Sequence, residues 1–225
     1  MTTTSTCLPH AATQPPFLSH GRDGHRRCHV LDQVGRALQQ ATHGVTNIQA
    51  IVSGVGITRD EVLRLFGGFG ELVEALVDTL ARSVLSPLDD CATEEDFVRR
   101  LTAFARRFTD PAAVLQEKNL YRIALTEAIR DAGRGQGLYA RGPGQVLGGL
   151  SRFLSNAQHA GVLLRGEGQQ LASHLLALLK ACSGLDDRFP PEPWRPFGAD
   201  AGVQEVVDQF LAGVQQETRH AYAAV

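Results

Sequence analysis

Lysine is nearly missing from this chain. It occurs only at Lys118 and Lys180, so almost all of the 22 basic residues are arginines. Set against 24 acidic residues, they leave a formal net charge of -2. That balance excludes a protein that coats nucleic acid through bulk charge, and any contact with DNA has to come from a local basic patch. Cysteine is sparse too. Cys7, Cys28, Cys91 and Cys182 lie far apart and form no C-x-x-C pair, which excludes a zinc site by spacing and a disulfide framework. They read as reduced thiols of a cytoplasmic protein. No apolar run approaches the ~18 residues that a membrane span requires, so no membrane partner is expected. The first residues do not pair a charged start with an apolar stretch, so they are no secretory signal, and residues 1–24 read as a disordered tail. Also missing is any segment that alternates apolar and polar residues, the mark of a half-buried strand.

What is present is helical period. Hydrophobic residues make up 43% and charged residues 20%, the composition of a chain that can build a core. Helical spacing begins near Arg26 with Val30, Leu31, Val34, Ala37 and Leu38, and His43-Gly44 stops it. Two short segments follow at about 46–53 and 58–65. A longer helix carries Leu72, Val73, Leu76, Leu80 and Val84 and ends before Pro87. Phe97, Leu101, Phe104 and Phe108 mark the next helix, closed by Asp110-Pro111. A helix over about 117–132 has Leu120, Ile123 and Ala124 on its inner face. Residues 133–144, with five glycines and one proline, read as a loop. Leucine-rich helices are predicted at about 144–160 and 168–182, a proline-rich stretch with Trp194 at 186–198, and a last helix at 200–222. The class is all-α, with about nine to ten helices.

The segment 44–72 holds two helix starts of one kind. Thr46 with Gln49, and Thr58 with Glu61, each have the spacing of a capping box, in which a hydroxyl accepts from an exposed N–H and the longer side chain reaches back. Gly54 and Gly56 between them permit the sharp turn that two short crossing helices need. With the preceding helix this describes a helix-turn-helix, whose second short helix enters a major groove. Spacing alone does not separate it from an ordinary helical packing unit.

The residues of that stretch resemble the TetR-type DNA-binding domain. The marks are the threonine at 46, apolar Ile48 and Ile51, the Gly56-Ile57-Thr58 turn, Phe66-Gly67, and then Glu71-Leu72-Val73. Tyr121-Arg122-Ile123-Ala124-Leu125-Thr126-Glu127-Ala128, Gly142-Pro143 and Ala160-Gly161-Val162-Leu163 resemble the C-terminal regulatory domain of its AefR-like branch. The resemblance implies a helix-turn-helix DNA-binding domain at 25–70 and a larger helical ligand-binding and dimerisation domain at 71–225. It also implies that helix three reads bases and that helix four turns its N-terminus to a phosphate. A homodimer would pair the helices at 144–160 and 168–182 through their leucine faces. Thr58, Arg59 and Arg64 are the candidate DNA contacts, with Thr46 and Asn47 toward phosphate and Arg27 in the basic stretch that opens helix one. Where the family usually has tyrosine and lysine, this chain has Leu63 and Phe69. The expected function is a transcriptional regulator, a repressor, acting on double-stranded operator DNA and released by a small-molecule effector. The alternative is a TetR-fold protein that has lost operator binding and serves as a ligand-binding or protein-interaction module, which an apolar patch of Leu63 and Phe69 would favour.

Other constellations point nowhere specific. His10, His20, His25, Cys28 and His29 are metal-ligating types at irregular spacing, and neither a metal nor a cofactor is expected. Gly133-Arg134-Gly135-Gln136-Gly137 follows no strand and lacks the ending of a phosphate-binding loop. No serine or cysteine sits in a nucleophile elbow, so an enzyme is not expected. Candidate lining for an effector cavity is Phe104, Phe108, Leu120, Ile123, Glu127 and Phe153, with Glu127 either a ligand anchor or ion-paired.

Overall fold

The computed structural model describes residues 17–41, 47–88, 93–130, 132–163, 166–182 and 202–223. Among these residues there are ten helices and no strand. They are α1 (Phe17–Gln40), α2 (Ile48–Gly54), α3 (Arg59–Phe66), α4 (Phe69–Leu85) and α5 (Glu94–Phe108), then α6 (Pro111–Arg130), α7 (Ala132–Arg141), α8 (Pro143–His159), α9 (Gly168–Cys182) and α10 (Val203–Ala223). No helix among them is long and apolar enough to cross a membrane.

Two apolar cores organise the chain. The first joins Val30, Val34 and Leu38 of α1 to Ile48 and Val52 of α2, Val62 and Phe66 of α3, and Leu72, Val73 and Leu76 of α4. The second gathers Phe97, Leu101 and Phe104 of α5, Leu150 and Leu154 of α8, Leu175 and Leu179 of α9, and Val206, Val207 and Phe210 of α10. The first core does not stop at residue 70. Leu120 and Ile123 of α6 and Leu138 of α7 belong to it, and α4 serves both cores along its length.

Each helix follows from its own chemistry. In α5, Thr93 caps the start by accepting from the Asp96 N–H at 3.2 Å, Glu94, Glu95 and Asp96 fill the first turn, and Arg106 and Arg107 the last. Those charges complement the helix dipole at both ends. Its apolar face seats Phe97 on Phe153, with ring centroids 5.3 Å apart.

Four readings of the sequence need correction. Residues 17–24, which the sequence assigns to the tail, are the first turns of α1, and Asp23 there pairs with Arg64. The sixth helix starts at Pro111 and not near 117. Asp110 accepts from the N–H groups of Ala112 and Ala113, both at 3.0 Å, so it is a capping residue followed by proline at the first helical position. Residues 133–141 are helix and not loop, because the glycines there let α7 lie close to its neighbours: a Cβ on Gly135 would meet Ala128 Cβ at 3.2 Å. At the turn into α8, a Cβ on Gly142 would meet Val77 Cγ1 at 2.8 Å. Finally, the leucines at 150, 154, 171, 175 and 179 are buried within the chain, so they do not form a face for a second protomer. The proline-rich stretch and Trp194 lie outside the described residues.

Gly142→Ala should therefore cost about 1–3 kcal/mol by overpacking, whereas Gly137→Ala, with nothing within 4 Å, should gain about 0.5–1 kcal/mol of helix stability. Urea midpoints of the two variants test this, and equal effects would contradict the close α4–α7–α8 approach.

Candidate functional site

The helix-turn-helix is built from a few backbone devices. Asn47, not Thr46, caps α2, accepting from the Gln49 N–H at 2.9 Å, and Thr46 lies outside the described residues. The turn that follows is closed by Gly56, whose φ of 76° suits glycine, and by the Ile57 N–H donating to Val52 O at 3.1 Å. Gly54 ends α2 without a positive φ, so only one of the two glycines is demanded by the backbone. Thr58 caps α3 through the Glu61 N–H at 3.2 Å. The reciprocal arm of the capping box is spent elsewhere, since Glu61 accepts from Arg26 Nε at 2.6 Å. Gly67, at φ 93°, closes α3 by donating to Leu63 O.

Charge on this surface is half neutralised by the chain itself. Arg64 pairs with Asp23 and Arg26 with Glu61, two bonds that tie α1 to α3. Arg27 lies over the Phe66 ring at 4.9 Å. Arg59 is exposed, and among the described residues no partner is found for it. Leu63 is 46% exposed beside these arginines, while Phe69 packs against the first core. Phe69 is thus largely withdrawn from the apolar patch expected of those two residues. At the start of α4, Gly68 offers no side-chain cap, and the Glu71 carboxylate folds back over it and takes Arg134 Nη2 at 3.1 Å. Gly70 leaves the room that the Arg134 guanidinium fills.

A second feature lies among α4, α5, α6, α7, α8 and α9. It is an apolar cavity of about 340 Å³ with Leu80, Val84, Phe108, Leu120, Val146 and Leu176 in its walls. Phe108 and Leu120 stood among the residues singled out from the sequence. Phe104 and Phe153 are instead buried in the second core, Ile123 in the first, and Glu127 is not in the lining. The acidic residue in the cavity is Glu117, which a helix over about 117–132 puts at its first position. Its carboxyl is pushed above its usual range by burial, against which the charge of Lys180 pulls down.

The cavity helix α6 also holds the end of α1. Asn119, fully buried, donates to the carbonyls of Leu38 and Ala41 at 2.9 and 3.0 Å, and Gln116 accepts from Gln39 Nε2 at 2.8 Å. The Asn119 bonds satisfy carbonyls at the end of α1 that its own helix leaves open. Within four residues, α6 therefore faces α1 on one side and the cavity on the other.

A three-helix unit of helix-turn-helix form, joined by a long helix to a helical body with a cavity, defines the architecture. Its family follows from comparison. The domain described as "AefR-like transcriptional repressor, C-terminal domain" matches residues 99–213, just over half of the chain, and the chain belongs to that branch of the TetR family of transcriptional regulators. The fold is similar to a candidate TetR-family transcriptional regulator from Mesorhizobium loti MAFF303099, with a TM-score of 0.59 and 16% identity, covering 85% of this chain and 97% of that one. The TetR-family transcriptional regulator PfmR from Thermus thermophilus aligns with a TM-score of 0.49 and 17% identity over 81% of this chain and 97% of its own. No curated protein matches the chain.

Two outcomes check this geometry. The carboxyl of Glu61 is held below its usual range, first by the hydrogen bond from Arg26. A depressed carboxyl contributes stability above its unfolded value that is lost as pH falls through the folded value. Glu61→Gln should then lower the urea midpoint near neutral pH and match the unaltered chain well below the carboxylate range. A gap that persists in acid would contradict the pairing. Asn119→Ala should cost roughly 1–3 kcal/mol by leaving two carbonyls unmet, seen as faster amide exchange at the end of α1. Unchanged exchange there would show that other contacts hold the helix.

Proposed function

We propose that the protein is a cytoplasmic TetR-type repressor that binds operator DNA as a homodimer and releases it when a small molecule fills the cavity. The observation that carries this reading is the double duty of α6. Asn119 and Gln116 grip α1, while Glu117 and Leu120, on the same turn, line the cavity. A ligand that prefers one position of α6 biases the position of α1 and the reading head, because a ligand shifts only what it binds differentially. The domain division at 25–70 and 71–225 fits this division of labour, with α4 running across it and α6 packing against α1 from the second side.

The DNA contacts are Arg59 and Arg64 of α3, Thr58 at its start, Arg27 at the edge, and Thr46 and Asn47 toward phosphate. Arg59 carries its charge unopposed, and Arg64 exchanges Asp23 for phosphate on binding. Dimerisation uses the outer side of α8 and α9, where Gly148 of α8 is exposed and Ser173, Ala177 and Ala181 of α9 are exposed at helical spacing. The reading as a module without operator binding draws support from the two internal ion pairs and from exposed Leu63, but Phe69, packed partly against the first core, offers a protein partner little.

Fluorescence anisotropy on DNA from the protein's own upstream region, titrated with salt, tests the proposal. Arg64→Ala should reduce the slope of log K against log salt by about 0.9, the share of one phosphate contact. Arg59→Ala with Arg64→Ala should abolish specific binding, and Asp23→Ala should strengthen it at fixed salt. Binding no tighter than non-specific across a promoter library at low salt would sink the repressor and favour the module.

A further inference from the structure

We propose that the cavity takes an amphipathic amine, with an apolar body against α4, α6 and α8 and one protonated nitrogen seated against the Glu117 carboxylate. This rests on the effector reading above and names the chemistry of the ligand. The walls supplied by α4, α5 and α8, among them Val77, Leu80, Phe108 and Val146, contain no titratable group. The titratable side chains that face the space are Glu117 and Tyr121 from α6, Tyr139 from α7 and Lys180 from α9.

Of the two charged groups, Lys180 is exposed at the rim and Glu117 is the one drawn inward. Among the described residues nothing donates a hydrogen bond to the Glu117 carboxylate. A carboxylate withdrawn from water without a donor is a cost that a ligand ammonium removes by a charge-assisted hydrogen bond. The mouth adds a second preference of the same sign. Tyr121 and Tyr139 line the cavity yet are 63% and 62% exposed, so their rings stand at its entrance, and ring faces attract cations. An anionic head group passing them meets the Glu117 carboxyl instead. The size sets the body: 340 Å³ is room for about a dozen water-sized groups of roughly 30 Å³ each, which suits a skeleton of about ten carbons.

Decylamine, decanol and decanoate share one chain and differ in head group, and calorimetric titration of the full chain at neutral pH separates them. Decylamine should bind at least tenfold tighter than either of the others. Glu117→Gln, which keeps the side-chain volume, should remove most of that advantage while leaving decanol within twofold, and Lys180→Met should leave the advantage in place. The ligand comparison on the unaltered chain stands by itself where a variant folds poorly. Decanol matching decylamine, an advantage untouched by Glu117→Gln, or decanoate binding tightest with loss in Lys180→Met would each overturn the amine while leaving an effector cavity. Failure of all three to bind would overturn the amine and the effector reading together.

Discussion

The grip of α6 on the end of α1 is the constraint on which the rest depends. A helix that ends inside a protein leaves carbonyls without partners, and each one buried unmet is costly. Here the Asn119 amide supplies the donors for Leu38 and Ala41, so the reading head is fastened to the body by a polar contact buried in apolar surroundings. Close approach at Gly35, where a Cβ would lie 3.2 Å from Gln116 Nε2, makes the seam tight. Because packed interiors do not deform smoothly, a shift of α6 has to be passed on or resisted as a whole. The wall of the cavity and the anchor of the head are one element.

The reading surface follows a different logic, set by scarce charge. With few lysines and an acidic balance overall, the surface of α1 and α3 carries a handful of arginines, and two of these are held by the chain's own Asp23 and Glu61. Such pairs on an exposed surface contribute little to stability. They do link α3 to α1, and in the proposed operator complex they compete with phosphate, a competition that salt screens on both sides. The acidic first turn of α4, with Glu71 bound to Arg134, extends the same economy and links α7 to the base of the reading head.

Much of this was legible in the sequence where one signal dominated. The apolar period of α5, α8 and α9, the Thr58 cap and the Gly56 turn all appear as expected, since local chemistry and tertiary packing agree there. Misreadings arose where packing overrode local preference. Glycine in and beside α7 looked like loop because the neighbours it lets in, Ala128 and Val77, are not visible in the local pattern. Asp110-Pro111 reads as a helix end by its place after Phe108, although the same pair is also the signature of a start, and the ambiguity puts Glu117 at a helix terminus instead of in a cavity wall. Phe104 and Phe153 were as plausible for a cavity wall as Phe108, because spacing does not reveal which side of a helix faces a void.

The coupling through α6 is tested most directly by amide hydrogen exchange along the chain, with and without an alkyl probe saturating the cavity. Coupling predicts that protection changes together in α6 and in the last turns of α1, more than 70 residues away in sequence, while α10 stays as it was. A change confined to the cavity walls, with the end of α1 exchanging as before, would contradict it.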